Sequence, residues 1–338
     1  MSATISNIGV IGAGAWGTAL AKHLAEKGLT VRLWAYEPHV VETINTSREN
    51  SIFLKGITLP PRLTATTSLL EAIAACQGIV FAVPSHATRS VLRLVAPGLA
   101  DPRPLVCATK GIEEDSAKLM TQVMEDELPT SMHRSLMVLS GPSFASELSE
   151  GRPTAVCLAG SDPTLVRSFQ EVLRSSSFRV YADADLIGVQ LGGALKNVMA
   201  LAAGVIDGLD LGLNARAALI TRGLAETIRL GTAMGADPRT FYGLSGVGDL
   251  VLTCTGALSR NHAVGMQLGR GERLETILAG MQAVAEGVRT ARAALTLARR
   301  YQVDMPIIQE INAVLDDVKS CRQAVSDLME RDAKPEKG

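Results

Sequence analysis

The amino-acid sequence predicts an α/β protein in which a doubly wound parallel sheet is followed by an all-helical domain. In the first half of the 338 residues, short β-rich runs alternate with segments whose apolar residues recur at helical spacing. From about Asp185 to Met329 such runs are nearly absent, and long Ala-, Leu- and Gly-rich helical patterns replace them. We therefore expect a sheet domain over 1–184, an all-helical domain over 185–330 and a frayed tail over 331–338.

The predicted strands are seven runs rich in β-branched and apolar residues. Several are separated by segments with apolar residues at helical spacing, such as Trp16, Leu20 and Leu24. This alternation is typical of a parallel sheet whose faces are covered by helices. The seven runs are Ile5–Ile11, Thr30–Trp34, Gly78–Val83, Leu105–Thr109, Leu136–Ser140, Thr154–Leu158 and Arg179–Tyr181.

The first predicted strand leads directly into a glycine motif with the spacing G-x-G-x-x-G. Gly12 permits a tight turn out of the strand, Gly14 lets the backbone approach a pyrophosphate, and Gly17 lets the following helix pack closely. The free amides at the helix start would then bind the pyrophosphate. Because the motif lies between a predicted strand and a predicted helix, we interpret it as a Rossmann-type dinucleotide-binding turn rather than an empty glycine-rich turn.

The tip of the second predicted strand leaves the choice of dinucleotide open. An acidic residue at this tip binds the ribose 2′-hydroxyl and favours NAD. Here the tip residues are Ala35 and Tyr36, and Glu37 follows beside a proline. This arrangement weakly favours NADP, or the binding of both dinucleotides, yet no arginine lies at the tip to bind a 2′-phosphate. The expected cofactor is therefore NADP(H), NAD(H) or both.

Composition excludes several classes of partner. Lys and Arg total 33 against 34 Asp and Glu, so the net charge of −1 excludes bulk attraction to nucleic acid. Aromatic residues make up 4% of the chain, too few for a base-stacking surface. No uninterrupted apolar run reaches the length of a membrane span, and no basic residue precedes the apolar segment 8–21 as it would in a signal peptide. We expect a cytoplasmic protein without membrane insertion.

Neither cysteines nor histidines predict a metal centre. The five histidines include no pair at i, i+4, and the five cysteines are widely spaced and form no C-x-x-C. We interpret the cysteines as reduced thiols of a cytosolic protein. They are Cys76, Cys107, Cys157, Cys254 and Cys321.

Lys196 stands out in a chain that contains 9 Lys and 24 Arg, because it is the one lysine between residues 119 and 318. On a helix its neighbours one turn away are small or apolar, and no carboxylate of that helix can pair with it. Partial burial would lower the pKa of such a lysine and permit proton exchange near neutral pH, which arginine does not offer. The alternative is a lysine that extends along this face to water.

Three further sites carry candidate polar groups. Lys110 follows a predicted strand, at the edge where ligands bind in this architecture, or is an ordinary loop lysine. Ser259 caps a predicted helix, where Arg260, Asn261 and free amides suit a phosphate monoester, or the helix is simply capped. Asp249 either caps a helix or faces Lys196, where it would raise the pKa of the lysine.

Eight motifs in order and at matching spacing give the chain a family resemblance. From Ile8 to about Ala324 it resembles the bacterial-type NAD(P)-dependent glycerol-3-phosphate dehydrogenases. The motifs lie at Gly12–Gly17, Val83–His86, Ala108–Gly111, Ser140–Ala145, Gly188–Asn197, Gly246–Leu250, Ser259–Asn261 and Val284–Gly287.

The resemblance implies reduction of dihydroxyacetone phosphate to sn-glycerol 3-phosphate for phospholipid synthesis, and a helical domain similar to the C-terminal domain of 6-phosphogluconate dehydrogenase. It implies that Lys196 transfers the proton, with Lys110 and Asp249 beside it in the catalytic centre. The implied substrate contacts are Lys110, Gly141, Ser143, Lys196, Asp249, Ser259, Arg260 and Asn261. The implied cofactor contacts are Gly12, Gly14, Ala15, Trp16, Gly17, Tyr36, Lys110, Ala145, Arg260, Val284 and Glu286.

Two departures from the family pattern are modest. Ser143 replaces a common Thr and keeps the hydroxyl, whereas Tyr36 replaces a frequent His or Arg and weakens any carried-over NADP preference.

Rival functions are a dehydrogenase of the same plan acting on a 3-hydroxy acid or a ketopantoate-like substrate, and a dinucleotide sensor without turnover. The apparent phosphate site at Ser259–Asn261 argues against the other dehydrogenases. Lys196 and Lys110 argue against the sensor, because a sensor needs no proton donor. The small-residue helices offer a face for a homodimer, and the oligomeric state stays open.

Overall fold

The fold joins an eight-stranded sheet to a helical assembly. The computed structural model describes residues 5–99, 101–281, 285–333 and 335–336. The strands are β1 (Asn7–Ile11), β2 (Thr30–Trp34), β3 (Leu63–Thr66), β4 (Gly78–Phe81), β5 (Leu105–Cys107), β6 (Leu136–Ser140), β7 (Thr154–Gly160) and β8 (Phe178–Asp183). Their spatial order is β3-β2-β1-β4-β5-β6-β7-β8, so the order reverses between β1 and β4. The predicted doubly wound sheet is confirmed.

The sheet departs from the prediction at two places. All neighbouring strands are parallel except β6 and β7, which pair antiparallel. The edge strand β3 was not predicted, because its four residues, Leu-Thr-Ala-Thr, carry almost no periodic signal. The side chain of Asn45 bonds to both the N–H and the carbonyl of Ala65, and so covers part of this exposed edge.

Helices cover both faces of the sheet, as the continuous apolar strands require. On one face Ile8 and Val10 pack with Leu20, Leu24 and other apolar residues. On the opposite face Ile11, Phe81 and Cys107 pack with apolar residues of the other helix layer. The helices of this half are α1 (Ala15–Glu26), α2 (Pro38–Ser47), α3 (Leu69–Ile73), α4 (Thr88–Val95), α5 (Met120–Glu127), α6 (Thr130–His133), α7 (Ala145–Ser149) and α8 (Pro163–Leu173).

The second half is helical throughout its described residues, as predicted. Its helices are α9 (Leu186–Gly208), α10 (Gly212–Ala233), α11 (Asp249–Thr255), α12 (Arg260–Gly269), α13 (Leu274–Ala279), α14 (Glu286–Arg300), α15 (Pro306–Leu315) and α16 (Cys321–Met329). Helix α9 begins where the Asp185 carboxylate accepts the N–H of Gly188. The division into domains at 184/185 remains our proposal.

Helix α9 is the axis of the helical half, since α10, α11, α12 and α14 all pack against it. Glycines on two helices set the close contact between α9 and α12. A side chain at Gly204 would overlap the carbonyl oxygen of His262, and one at Gly265 would overlap that of Leu201. The two backbones therefore approach closely, which fixes the start of α12 relative to α9.

Helix α9 is also long and apolar enough to cross a membrane by composition alone, with a mean hydropathy of 1.4. Its apolar window is wholly buried inside the protein, and residues 188–206 are all buried. This is the packing expected of a core helix.

A buried carboxylate joins two helices of this half. Glu226 on α10 is 2% exposed and accepts the backbone N–H of Ile307 at 2.8 Å, at the first turn of α15. Burial raises the pKa of Glu226 to about 7, although the hydrogen bonds from Ile307 and Ile308 oppose that shift. The ionised carboxylate is therefore costly to bury, even though it caps a helix.

We expect the stability of the wild-type protein to fall relative to Glu226→Gln as pH rises from about 5 to about 8. The folded state binds more protons than the unfolded state between the two pKa values, so the free energy of unfolding falls with pH across that window, by up to about 3 kcal/mol. Thermal unfolding of both proteins across this pH range measures the difference. The exposed Glu42→Gln is the control, and parallel curves for wild type and Glu226→Gln would contradict the assignment.

Candidate active site

The candidate site lies at the carboxyl edge of the sheet, where the strand order reverses between β1 and β4. Ligands of open α/β sheets bind in the crevice at such a point. The glycine turn follows β1, Lys110 follows β5 and Gly141 follows β6, so the topology brings three of the predicted segments to one edge.

The glycine turn has the geometry that its spacing predicts. Gly12 has a φ of +113°, and a side chain there would lie 2.6 Å from the carbonyl oxygen of Ala82. A side chain at Gly17 would overlap the carbonyl oxygen of Gly12, so the first turn of α1 packs directly on the loop. Gly14, by contrast, has open space on the side where a Cβ would project. The turn thus forms a cradle above Gly14 that suits a pyrophosphate at the start of α1.

Two aromatic side chains lie near this cradle, and one of them is exposed. The indole N–H of Trp16, which follows Ala15 in the first turn of α1, is buried and has no hydrogen-bond partner among the described residues. Tyr36 at the tip of β2 is 80% exposed, and its ring lies edge-on to Trp34. The exposed Tyr36 ring can contact a bound dinucleotide, whereas protein atoms enclose the Trp16 N–H.

The structure brings Lys196, Asp249 and Lys110 into one ion cluster. The carboxylate of Asp249 is completely buried and accepts one hydrogen bond from each lysine. The Lys110 ammonium lies 2.6 Å from Oδ2 of Asp249 and also donates to the carbonyl oxygen of Gly141 at 2.9 Å. Lys196 donates to Oδ1. Of the two alternatives for Asp249, the one in which it faces Lys196 is correct; Gly248 holds the N-cap position of α11.

The small neighbours of Lys196 bury it, as the sequence predicts. The residue is 9% exposed, and a side chain at neighbouring Gly192 would overlap the carbonyl oxygen of Ser245. Burial lowers the pKa of Lys196 to about 8, with the Asp249 carboxylate opposing the shift and the Lys110 ammonium reinforcing it. The ammonium can therefore release and regain a proton near neutral pH.

Sequence reasoning did not find Thr253, a further neighbour of the lysine. Its hydroxyl accepts a hydrogen bond from Lys196 at 3.0 Å and donates to the backbone carbonyl of Asp249 at 2.6 Å. Thr253 follows Asp249 by four residues, so both lie on one face of α11. This four-residue spacing is the sequence signal that could have identified Thr253 as a neighbour of Asp249. Oδ1 of Asp249 and the hydroxyl oxygen of Thr253 both accept hydrogen bonds from the Lys196 ammonium.

The segment after β6 supplies a backbone acceptor beside Lys110. Gly141 has a φ of +145°, and a side chain there would lie 2.9 Å from the Cα of Val156. Its carbonyl oxygen also accepts the hydroxyl of Ser143 at 2.8 Å. Ala145 begins α7, which packs against α1 behind the glycine turn.

The start of α12 is joined to the residue that follows Lys196. Ser259 is the N-cap, and its side chain accepts the N–H of His262 at 3.2 Å, as predicted. Asn261 is buried and its amide donates to the side chain of Asn197, the residue after Lys196, at 3.1 Å. One of the amide donors that we expected for a phosphate is thus already engaged in fixing the helix.

Arg260 is the accessible cation of this helix start. The residue is exposed as a whole, and its guanidinium forms no hydrogen bond or ion pair with the described residues at bonding distance. Burial nevertheless lowers the pKa of this guanidinium, and the Glu286 carboxylate opposes that shift. A planar guanidinium without a bonded partner at a helix N-terminus is well suited to a phosphate monoester.

The last predicted motif contacts the turn that follows β4 of the sheet. Glu286 begins α14, and its carboxylate accepts the backbone N–H of Ser85 at 3.0 Å and the Ser85 hydroxyl. Val284, another predicted cofactor contact, lies outside the described residues.

Metal ligands are not assembled anywhere in the described part of the chain, where no group of three or more His, Cys, Asp or Glu side chains is placed to hold an ion. All five cysteines are free thiols, and four of them are buried. The donor set of the site therefore consists of ammonium, hydroxyl, amide and guanidinium groups, which suit an organic phosphate and a dinucleotide.

Comparison with known proteins gives the family. Family models described as the N-terminus and the C-terminus of NAD-dependent glycerol-3-phosphate dehydrogenase match residues 7–166 and 185–326. The chain belongs to this family. A glycerol-3-phosphate dehydrogenase (NAD(P)+) of Geobacter sulfurreducens is 54% identical over 330 residues, which cover 98% of each chain.

Solved structures agree with this assignment. The crystal structure of a glycerol-3-phosphate dehydrogenase from Coxiella burnetii matches with a TM-score of 0.92 and 37% identity, over 97% of this chain and 99% of that one. The enzyme from Saccharomyces cerevisiae matches with a TM-score of 0.82 and 26% identity, over 96% and 99%. The chain is thus an NAD(P)-dependent oxidoreductase with the fold of this family, as the sequence resemblance implies.

The glycine cradle predicts different results for two alanine substitutions. Gly14→Ala should fold with an unchanged thermal midpoint, because a Cβ meets no atom there, yet weaken dinucleotide binding by about tenfold or more by filling the cradle. Gly17→Ala should lower the thermal midpoint itself, because its Cβ overlaps the Gly12 carbonyl. Calorimetry and fluorescence titration with NADH and NADPH measure both effects. Normal cofactor binding by Gly14→Ala would exclude the cradle as the pyrophosphate site.

Proposed function

We propose that this protein reduces dihydroxyacetone phosphate to sn-glycerol 3-phosphate with NADH or NADPH, and that Lys196 supplies the proton. The observation that carries the proposal is the buried Lys196 ammonium, with a pKa of about 8, beside the exposed cationic start of α12. A reduced dinucleotide held at the Gly12–Gly17 turn would supply a hydride to C2 of the substrate. The family to which the chain belongs supports this reaction.

Lys196 acts on the carbonyl oxygen of the substrate. As negative charge develops on that oxygen, the ammonium donates its proton and becomes a neutral amine; in the reverse reaction the amine accepts the hydroxyl proton. General acid–base catalysis of this kind contributes about 10²–10⁴-fold in rate. A pKa of about 8 keeps a large part of the lysine protonated at neutral pH while making the proton easier to transfer than from an ordinary lysine.

Asp249 and Lys110 organise the charge around this proton. The Asp249 carboxylate holds both ammonium groups and limits the fall in the pKa of Lys196. Lys110, tied to the Gly141 carbonyl, presents a second cation from the sheet side of the crevice. A developing alkoxide between the two lysines would be stabilised at low dielectric.

The phosphate of the substrate binds at the start of α12 in this proposal. Arg260 offers a guanidinium without a bonded partner, and Ser259 caps the helix turn, whose first amides have no partner within the helix. The Asn261–Asn197 hydrogen bond joins this anion site to the residue after Lys196. Binding energy from the phosphate therefore positions the carbonyl against the reacting groups.

The cellular setting is proposed on the same basis. The product suits phospholipid synthesis, and five free, mostly buried thiols are compatible with a reducing cytoplasm. We propose a cytoplasmic enzyme without membrane insertion, and a homodimer as its assembly. The choice between NADH and NADPH stays open, since Tyr36 at the tip of β2 recognises neither a 2′-hydroxyl nor a 2′-phosphate by charge.

We expect Lys196→Ala to lose at least about 10²-fold in kcat while it still binds NADH or NADPH, because the dinucleotide cradle is separate from the lysine. Loss of absorbance at 340 nm with dihydroxyacetone phosphate measures turnover, and fluorescence titration measures cofactor binding. Lys118→Ala, a surface lysine paired with Asp126, is the matched control.

The same assay separates the rival functions. Ketopantoate and a no-substrate arm test the related dehydrogenases and the sensor without turnover. Near-normal turnover by Lys196→Ala would eliminate its assignment as proton donor, and preference for ketopantoate would eliminate the proposed substrate.

A further inference from the structure

Ser85 and Glu286 form a contact that joins the two halves of the molecule at the crevice. Ser85 follows β4, the strand at the point where the sheet order reverses, and Glu286 is the first residue of α14. Ser85 donates its backbone N–H to Oε1 of Glu286 at 3.0 Å and its hydroxyl to Oε2. One serine thus engages both carboxylate oxygens of a residue 201 positions away in the sequence.

The Ser85–Glu286 contact is closely packed by neighbouring residues. Ser85 is 2% exposed. Gly111, which follows Lys110, packs against it: a Cβ at Gly111 would lie 2.7 Å from the Ser85 Cβ and 3.3 Å from Oε2 of Glu286. The Lys110 loop, the turn after β4 and the start of α14 therefore meet at one point.

The position of the carboxylate suits a helix start. Ser85 opens a short 3₁₀ turn, Ser85–Ala87, that runs directly into α4. The N–H of its first residue has no partner within such a helix, and the Glu286 carboxylate supplies one from the other half of the chain. The carboxylate retains unused lone pairs, because each oxygen accepts only one of these bonds.

We propose that Ser85 is a positioning residue for cofactor binding, which fixes the Glu286 carboxylate at the dinucleotide crevice through its hydroxyl and backbone N–H. This inference rests on the proposed function and on the cofactor contact that the family resemblance implies for Glu286. Nothing in the sequence motifs assigns a task to Ser85. The geometry assigns it the orientation of a carboxylate whose remaining lone pairs can accept hydroxyl groups of a bound dinucleotide.

Removal of the hydroxyl should release the carboxylate without removing it. Ser85→Ala keeps the backbone N–H bond to Oε1 but leaves Oε2 without its donor, so the carboxylate can rotate away from the crevice. We expect the Kd for NADH and NADPH to rise about tenfold, the size of effect given by one hydrogen bond to a charged group. The kcat at saturating cofactor should change little, because Lys196 and the phosphate site are untouched.

Glu286→Asp tests the same contact from its other end. It keeps the charge but withdraws the carboxylate by one methylene, so it should raise the cofactor Kd by a similar factor. The double variant should be no weaker than the weaker single variant, since both break one contact. Ser90→Ala, which removes an exposed serine hydroxyl in the same helical segment, is the control and should bind like wild type.

The experiment is a fluorescence titration of the full-length protein with NADH and NADPH without substrate, followed by steady-state kinetics with dihydroxyacetone phosphate. An unchanged cofactor Kd in folded Ser85→Ala overturns the proposal, as does a loss of kcat at saturating cofactor as large as the rise in Kd, or effects of the two substitutions that multiply. If Ser85→Ala does not fold, Ser85→Cys takes its place, since it replaces the hydroxyl with a much weaker donor of similar shape and should also raise the Kd. A wild-type protein that binds dinucleotide but leaves dihydroxyacetone phosphate unreduced overturns the proposed function and leaves this binding test valid.

Discussion

The site depends on one buried carboxylate, Asp249, which binds two lysines from different parts of the fold. Lys110 comes from the sheet and Lys196 from α9, and without Asp249 the two ammonium groups would repel each other in a low-dielectric environment. A buried charge is tolerated only when it is paired and hydrogen-bonded, and this one is paired twice. The arrangement explains how the two ammonium groups can lie close together.

The rest of the helical half positions this cluster. Close contacts at Gly204 and Gly265 hold α12 against α9, so the candidate phosphate site and Lys196 are joined by backbone packing as well as by the Asn261–Asn197 bond. Rigid elements of this kind keep reacting groups in place at little entropic cost when substrate binds. In the proposed mechanism the glycine turn, the lysine pair and the start of α12 take three separate tasks, and each lies on a different element.

The sequence predicted those parts whose signal is local. The G-x-G-x-x-G spacing, the small residues around Lys196 and the Ser259 cap each follow from a few neighbouring residues, and the structure reproduces their geometry. Strand β3 was missed because four residues show no clear period, and the antiparallel pairing of β7 has no signal in one strand alone.

Long-range contacts were harder to predict. Asp249 was recognised as a partner of Lys196 only as one of two alternatives, and its bond to Lys110 was not anticipated, because residues 139 positions apart meet only in the folded chain. The Ser85–Glu286 contact escaped prediction for the same reason. The catalytic assignments of Lys196, Lys110 and Asp249 remain predictions that chemistry must test.

The pH dependence of kcat/KM for reduction, compared between wild type and Asp249→Asn, measures how far the Lys196 proton depends on the Asp249 carboxylate. We expect the wild-type rate to fall as pH rises through about 8, where Lys196 loses the proton it must donate. Because the Asp249 carboxylate raises the pKa of Lys196, its removal should move this fall to lower pH by about one unit or more. Two profiles with the same apparent pKa would contradict the role of Lys196 as proton donor and of Asp249 as its partner.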